Sequence, residues 1–279
     1  MTESLTGPQI RRLLIENGLA PSRARGQNFV VDPNTVRRVA RLAEVGPGDR
    51  VVEIGAGLGS LSLALGATGA SVTAIEIDGG LVPVLRDVVE PVGVTVVKGD
   101  ALRLDWSSLL IGIGWVLVAN LPYNVATPLI ADLLDGVPAI ARMLVMVQRE
   151  VGERLAARAG DEAYGAVSVK VAYWATAKVV GRVPATVFYP VPKVESVLVR
   201  IDRRPSPAVG PDVDPAWLFR LVQAGFGQRR KMLRRSLVDL VPPEAFVAAG
   251  IRPEARAEEL SVEEWGRLAA CTSSALPPS

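Results

Sequence analysis

The pattern of apolar and polar residues predicts two short helices and then an alternating series of strands and helices. Thr6-Gly7-Pro8 opens a segment with one apolar helical face that ends at Asn17-Gly18, and Asp32-Pro33 opens a second helix that ends by Gly46. Runs rich in Val and Ile then recur, with helix-length segments between several of them, at 50–54, 71–77, 94–98, 115–120 and 143–148. The pattern predicts an α/β fold, a parallel sheet with helices on both faces.

The second half of the chain predicts fewer strands. Residues 164–175 fit both periods, and we predict a helix there, whereas 183–189 and 194–201 predict two strands joined across Pro190 and Pro192. Beyond them, helical segments alternate with Pro and Gly breaks. We therefore predict a catalytic domain over 1–204, a linker over 205–215 and a small all-α domain over 216–279.

The composition excludes several kinds of catalytic site. Hydrophobic residues make up 49% of the 279 residues, which is enough to build a core. The chain has no histidine and a single cysteine, Cys271, so it cannot form a Ser-His-Asp triad, a Cys/His zinc site or an internal disulfide. Catalysis must use carboxylates, amides, aromatic rings, backbone groups or a cofactor, and we predict no metal.

Charge is distributed unevenly. Residues 1–41 hold seven Arg/Lys against three Asp/Glu, residues 42–141 hold four against eleven, and residues 142–204 hold eleven against six. An acidic centre with basic flanks is suited to a small cationic or hydroxyl-rich ligand and a polyanion, although ordinary solvated surface is the alternative. The start of the chain does not resemble a secretory signal, and the uncharged stretch 106–131 is broken by Pro122 and Pro128. We predict a cytoplasmic protein without a membrane span.

Three successive strands end in residues that suit an adenosine-containing cofactor. Gly55 and Gly57 follow the first strand, in a Gly-x-Gly-x-Gly turn that lets the backbone approach a ligand at a helix start. Glu76 ends the second strand, where a carboxylate accepts from ribose hydroxyls, and Asp100-Ala101 follows the third, where an acid accepts from an adenine amino group. A helix cap is the alternative for an isolated strand-end acid, but three such ends in order favour a cofactor.

The fourth strand runs into Asn120-Leu121-Pro122-Tyr123. An adenine N6 lone pair is delocalised into the ring, but it can be directed at a methyl group if the Asn120 side-chain oxygen and the Leu121 carbonyl accept its two N–H bonds. Pro122 would rigidify the turn and Tyr123 would stack on the base; a β-turn that merely closes the strand is the alternative. This order of features resembles S-adenosylmethionine-dependent methyltransferases that act on exocyclic amino groups, and the resemblance implies that the α/β sheet is the Rossmann-like sheet of those enzymes.

Four short motifs together resemble the ribosomal RNA adenine N6-dimethyltransferase family, and within it the bacterial small-subunit branch, over residues 23–265. They occur in order at 26–30, 120–124, 188–194 and 226–231. The resemblance implies that Phe188 holds the flipped adenine opposite Tyr123, whereas a core position is the alternative for Phe188. The cofactor-contacting residues that it implies are Asn28, Val30, Gly55, Glu76, Asp100 and Asn120.

The segment after 227 predicts a nucleic-acid contact. It is basic and predicted helical, with Met232, Leu233 and Leu237 facing inward, and a solvated basic face is the alternative. The predicted RNA-binding residues are Arg229, Arg230, Lys231, Arg234 and Arg235.

The resemblance implies N6-dimethylation of two adjacent adenosines in a hairpin loop near the 3′ end of 16S rRNA, in a 30S subunit or its precursor. We expect the enzyme to act as a monomer. The alternatives are a 23S rRNA adenine N6-methyltransferase that confers antibiotic resistance and a non-catalytic ribosome-assembly or transcription factor on the same fold.

Overall fold

The computed structural model describes residues 4–22, 25–122 and 125–272. The chain divides into two compact units. The sheet unit comprises Met1–Gly152 and Lys178–Arg203, and the helical unit comprises Glu153–Ala177 and Arg204–Ser279. This division differs from the predicted boundaries, because Tyr164, Val169 and Tyr173 pack in the apolar core of the helical unit although the sequence pattern places them in the first domain.

The strands range from two to nine residues in length. They are β1 (Phe29–Val30), β2 (Arg50–Ile54), β3 (Ser71–Glu76), β4 (Thr95–Lys98), β5 (Trp115–Asn120), β6 (Ile140–Gln148), β7 (Ala175–Val183), β8 (Phe188–Tyr189) and β9 (Ser196–Arg203). The α-helices are α1 (Gly7–Glu16), α2 (Pro33–Leu42), α3 (Ser60–Gly66), α4 (Leu81–Val89), α5 (Trp106–Leu109), α6 (Ala126–Gly136), α7 (Arg149–Ala156), α8 (Ala166–Trp174), α9 (Pro215–Gly227), α10 (Leu233–Ser236), α11 (Pro243–Ala248) and α12 (Val262–Ala270). Short 3-10 turns lie at Glu90–Val92, Ala185–Val187 and Ala257–Glu259.

The seven-stranded sheet has the order β4-β3-β2-β5-β6-β9-β7. Strands β2 to β6 run parallel, and β9 lies antiparallel to β6. Because parallel strands end at one edge, the carboxyl ends of β4, β3, β2 and β5 form a continuous row. The predicted parallel sheet is therefore confirmed, and its switch in chain order between β2 and β5 positions the site described below.

The predicted N-terminal helices are confirmed, and their caps account for where they begin. The Asp32 side chain accepts hydrogen bonds from the backbone N–H groups of Asn34 and Thr35, and Pro33 occupies the first turn of α2. The three turns of α2 bury Val36 and Val39 against the sheet unit's core. The Asp-Pro start and the apolar face of α2 are both visible in the sequence, so this helix could be predicted.

The helix predicted over 164–175 is confirmed as α8, but the strand predicted over 183–189 is wrong. The strand lies earlier, as β7, and ends at Val183. Pro184 has no N–H to donate to a ladder, so the chain leaves the sheet there, turns through Ala185–Val187 and forms the short strand β8. β8 pairs antiparallel with β1, with Phe29 opposite Tyr189 and Val30 opposite Phe188.

The helical unit has its own apolar core. Trp265, Phe246 and Leu218 are fully buried there, and Gly225 lets α9 approach Trp265, because a Cβ at that position would lie 2.7 Å from the indole ring. Its described residues from 204 onwards form helices and one isolated bridge, so the predicted all-α character is confirmed. In the part of the chain that the structure describes, no helix has the length and apolarity needed to cross a bilayer.

Candidate cofactor and catalytic site

The row of strand ends brings the predicted cofactor residues together. One cavity is lined by Asn28, Val30, Gly57, Glu76 and Asn120, among others. An adjoining cavity is lined by Asp100 and Ala101, and both cavities are lined by Gly55 and Pro122. The two halves of the predicted cofactor site therefore meet at the glycine turn after β2.

Glu76 lies in this row as the last residue of β3. Its side chain is only 5% exposed, and its two carboxylate oxygens accept hydrogen bonds from the backbone N–H groups of Gly57 at 2.8 Å and Asp78 at 2.9 Å. Burial raises the pKa of Glu76 above its ordinary value, and these two hydrogen bonds oppose that rise. Each oxygen keeps a second lone pair, so the carboxylate is oriented and still able to accept from a ligand hydroxyl.

The glycine turn is shaped for backbone contact with a ligand. Gly55, Gly57 and Gly59 all have positive φ, a conformation that a residue with a Cβ adopts only under strain. A Cβ on Gly57 would also lie 3.0 Å from the Phe29 ring. Glycine is therefore needed at 57 both for the backbone conformation and for the close approach of β1.

The Asn120 side chain is oriented by the loop that carries Asn28. Its Nδ2 donates a 2.9 Å hydrogen bond to the backbone carbonyl oxygen of Asn28, across the cavity that both residues line. A carbonyl can only accept, so this contact fixes which end of the amide is which. The NH2 group is engaged, and Oδ1 is the end of the amide that remains an acceptor for a ligand.

Asp78 connects the loop that carries Asn28 to the end of β3. Its carboxylate accepts a 2.9 Å hydrogen bond from Gln27 Nε2, forms an ion pair with Arg25, and accepts from the Gly80 N–H at 3.0 Å. Burial raises the pKa of Asp78, but the hydrogen bonds from Arg25, Gln27 and Gly80 outweigh burial and hold it below the ordinary value. Sequence reasoning missed this residue, because nothing along the chain links position 78 to position 27.

Glu53 was also missed as a site residue. It is fully buried in β2, lines the same cavity as Glu76, and accepts a 2.5 Å hydrogen bond from Ser62 Oγ. Burial raises the pKa of Glu53 to about 8; the Ser62 hydrogen bond opposes this rise and the nearby Glu76 adds to it. The sequence did offer one indication of Glu53, because it stands between the apolar residues Val52 and Ile54 of a predicted buried strand. A carboxylate is rarely buried without a partner, so its presence there indicates a special role.

Asp100 lies nearer to solvent than Glu76. Its Oδ1 accepts from the Leu102 N–H at 3.0 Å, so it closes the turn after β4, and its carboxylate is 3.8 Å from Arg103 Nε. Asp100 nevertheless lines the cavity beside Gly55, where the predicted adenine contact would lie. Its capping role and its predicted ligand role are compatible.

The sequence profile of the ribosomal RNA adenine dimethylase family matches residues 22–273. The chain belongs to this family. It is a ribosomal RNA methyltransferase that depends on S-adenosylmethionine, the donor to which the strand-end residues are suited.

Relatives of this dimethylase match almost end to end. A protein named ribosomal RNA small subunit methyltransferase A from Thermobifida fusca is 44% identical, with 96% of this chain and 99% of that one covered. A protein of the same name from Cutibacterium acnes is 46% identical, with coverage of 96% and 94%.

Solved structures agree with this fold. A dimethyladenosine transferase from Plasmodium falciparum superposes with a TM-score of 0.73 at 23% identity, with 85% of this chain and 94% of that one covered. The 23S rRNA methyltransferase ErmE superposes with a TM-score of 0.65 at 26% identity, with coverage of 88% and 99%. The sheet of this dimethylase is therefore the Rossmann-like sheet of known methyltransferases.

The structure describes only one of the two predicted base-stacking residues of the dimethylase. Tyr123 lies outside the described residues. Phe188 is described, and its side chain is 2% exposed in the apolar core of the sheet unit, where it is paired with Val30. In this conformation Phe188 presents no free ring face, so its stacking role stays a prediction that requires it to be uncovered.

The structure of the dimethylase contradicts the single helix predicted for the basic segment after residue 227. α9 ends at Gly227 and α10 begins only at Leu233, so residues 228–231 form a turn. Leu233 and Leu237 are buried as predicted, but Met232 is 39% exposed. It lies before α10 and bridges to Arg256, so it cannot face inward as a residue within one continuous helix would.

Two of the five predicted RNA-binding cations of the dimethylase form ion pairs with carboxylates of the helical unit. Arg229 pairs with Glu258 at 2.6 Å, and Arg234 lies 3.3 Å from Glu254. Arg230, Lys231 and Arg235 are exposed. The basic segment is thus partly compensated by carboxylates of its own unit, which a count of charges along the sequence did not show.

The described residues contain no group of three or more Asp, Glu, Cys or His side chains placed to hold a metal ion. The expectation of a metal-free enzyme stays a prediction.

Proposed function

We propose that this enzyme transfers methyl groups to N6 of two adjacent adenosines in a hairpin loop near the 3′ end of 16S rRNA, in a 30S subunit or its precursor, and acts as a monomer in the cytoplasm. The orientation of Asn120 supports the chemistry, since it offers an amide oxygen at the end of β5. The small-subunit relatives, 44% and 46% identical over nearly the whole chain, support the choice of RNA.

The residues present fit S-adenosylmethionine. The buried, hydrogen-bonded carboxylate of Glu76 would accept from ribose hydroxyls, and the positive-φ glycines 55 and 57 would give backbone access beside it. Asp100 and Ala101 would hold the adenine, and Asn28, Val30 and Asn120 would close the other side. When bound, the cofactor supplies a methyl group on a positively charged sulfur, and the sulfur keeps the electrons of the broken C–S bond.

The chain's own contribution is alignment. Asn120 Oδ1 and the Leu121 carbonyl would accept the two N6 hydrogens, so that the nitrogen lone pair is released from the ring and points at the donor. Pro122 restricts the turn that carries them, and Tyr123 and Phe188 would hold the two faces of the flipped base. The proton that N6 loses after transfer goes to water, so no histidine is needed.

The deciding experiment offers labelled S-adenosylmethionine and purified enzyme to 30S particles that lack the modification. We expect dimethyladenosine in the 16S hairpin, resolved from monomethyladenosine by chromatography of the nucleosides. ErmE, which is 26% identical, is named for 23S rRNA, so 50S particles are tested in parallel. Label in 23S rRNA alone would contradict the proposal, and the absence of label in any RNA would support the non-catalytic alternative.

A further inference from the structure

Four basic side chains of the sheet unit lie on two elements that meet at Arg38. α2 contributes Arg38 and Arg41, and β7 contributes Lys178 and Arg182. Arg38 joins the elements, because its Nη1 donates to the Arg182 carbonyl oxygen at 2.9 Å and its guanidinium lies directly against Gly181. We call these four residues the α2–β7 basic surface.

The α2–β7 basic surface lacks acidic partners. Residues 33–43 and 163–194 contain no Asp or Glu, and across the described ranges none of the four side chains forms an ion pair. Neighbouring arginines differ, since Arg142 and Arg200 both pair with Glu44. The charges of Arg142 and Arg200 are therefore compensated inside the protein, whereas those of the α2–β7 basic surface are not.

The α2–β7 basic surface lies on the outer side of the cavity wall. The opposite face of α2 carries Val36 and Val39, which are buried and line the cavity with Asn28 and Asn120. The chain enters α2 directly from β1 and leaves β7 towards Phe188. Both elements are thus continuous with segments proposed to contact the cofactor and the base.

Protection of a sheet edge does not account for the whole surface. β7 is an edge strand, and Lys or Arg on such a strand discourages pairing with another chain. The arginines of α2 are not on that edge, yet they extend the same uncompensated charge. Grouped cations without carboxylates are the arrangement that phosphate backbones require.

We infer that the α2–β7 basic surface binds the phosphate backbone of the RNA substrate. This inference rests on the proposed function in that the RNA is the methylated particle. It assigns an RNA contact to the sheet unit itself, in addition to the basic segment 229–235. The contact is with phosphates, so it adds affinity without reading the base sequence.

The test replaces one cation from each element, in the double variant Arg41→Gln/Arg182→Gln. Arg38 is left intact, and its hydrogen bond is to the Arg182 backbone, which the substitution keeps. The matched control is Arg12→Gln/Arg86→Gln, which removes two cations that are already paired with Glu16 and Glu90. A third protein, Arg41→Lys/Arg182→Lys, keeps both charges.

Binding of each protein to 30S particles lacking the modification is measured as a dissociation constant between 50 and 300 mM salt. The glutamine double variant is expected to bind about tenfold more weakly near 150 mM salt, and its slope of log K against log [salt] should fall by about 1 to 2. The lysine variant and the control should match wild type. Cofactor affinity, measured by calorimetry, should be equal in all four proteins.

The outcomes separate this inference from the proposed function. If wild type methylates the 30S particle and the glutamine variant keeps both its affinity and its salt slope, the α2–β7 basic surface is not an RNA contact. An equal loss in the Arg12/Arg86 control would also overturn the inference, because net charge alone would then account for the effect. Failure of wild type to methylate 30S RNA rejects the proposed function, and the same binding series still decides whether this surface contacts RNA.

Discussion

The Asn120 amide is held by a hydrogen bond of 2.9 Å from its Nδ2 to the backbone carbonyl oxygen of Asn28, 92 positions earlier in the chain. One contact thus joins the end of β5 to the loop that covers the cofactor cavity. It also leaves Oδ1 as the end of the amide that can accept a hydrogen bond from a ligand.

Asn120→Ala should abolish methyl transfer while leaving cofactor binding measurable. The substitution removes the acceptor that aligns N6, and loss of one such positioned polar group costs roughly 100-fold or more in rate. Single-turnover transfer to 30S particles gives the rate, and calorimetry gives cofactor affinity. Wild-type rates in this variant would reject the role of Asn120.

Asp78→Asn should weaken cofactor binding several-fold. The neutral amide no longer pairs with Arg25, so the loop that carries Gln27 and Asn28 is held less firmly. The lowered pKa of Asp78 means that its contribution is present above the unfolded-state pKa, near 4, and is lost only as pH falls through the folded-state value.

The Asp78→Asn effect should therefore be constant between pH 6 and 9. Gln27→Glu, which keeps the oxygen that accepts from Ser22 N but sets a carboxylate against Asp78, should weaken binding further. Unchanged cofactor affinity in both variants would show that the contacts of Asp78 with Arg25 and Gln27 are not needed for cofactor binding.

Glu53→Gln should stabilise the unliganded protein increasingly as pH rises. The folded-state pKa of Glu53 is about 8, against an ordinary value of 4.5, so the folded state binds more protons than the unfolded state in between. The contribution of Glu53 to wild-type stability therefore falls through this window, and the amide lacks that dependence while it still accepts from Ser62.

The measurement is the difference in Tm between Glu53→Gln and wild type from pH 5 to 9. The exposed substitution Glu90→Gln is the control. A difference that does not grow with pH would show that Glu53 is not held in the protonated form.

Gly57→Ala should cost more stability than Gly18→Ala. Both glycines have φ near +60°, where alanine costs about 1–2 kcal/mol. A Cβ at Gly18 meets nothing within 4 Å, but one at Gly57 lies 3.0 Å from Phe29, so only Gly57→Ala adds crowding. Free energies of unfolding from urea titrations give the comparison, and equal losses would show that Phe29 moves aside at no cost.

The parts of the site that lie at strand ends were predictable. Gly57, Glu76 and Asp100 follow buried apolar runs, and a parallel sheet brings such ends to one edge. The contacts between distant segments were not predictable. The hydrogen bond of Asn120 to Asn28 and the fastening of Gln27 by Asp78 join residues 92 and 51 positions apart, and neither pair has a local pattern.

The fold shows the same division. Caps and first-turn prolines indicated where α1 and α2 begin. β7 was misplaced, because an edge strand with exposed Lys178 and Arg182 lacks the continuous apolar run of a central strand. The helix predicted across 228–231 is wrong because α9 ends at Gly227, a poor helix former, and Arg229 in the following turn pairs with Glu258 instead.

The pairing of β1 with β8 has a thermodynamic consequence. Val30 and Phe188 are opposite each other in a ribbon of only two residues per strand, so a rearrangement that moves β8 to expose the Phe188 ring would break the pairing of Val30. With Val30 against the cofactor and Phe188 against the base, as proposed, binding of each ligand would depend on this one pairing. Each ligand would then alter the affinity for the other by the same factor.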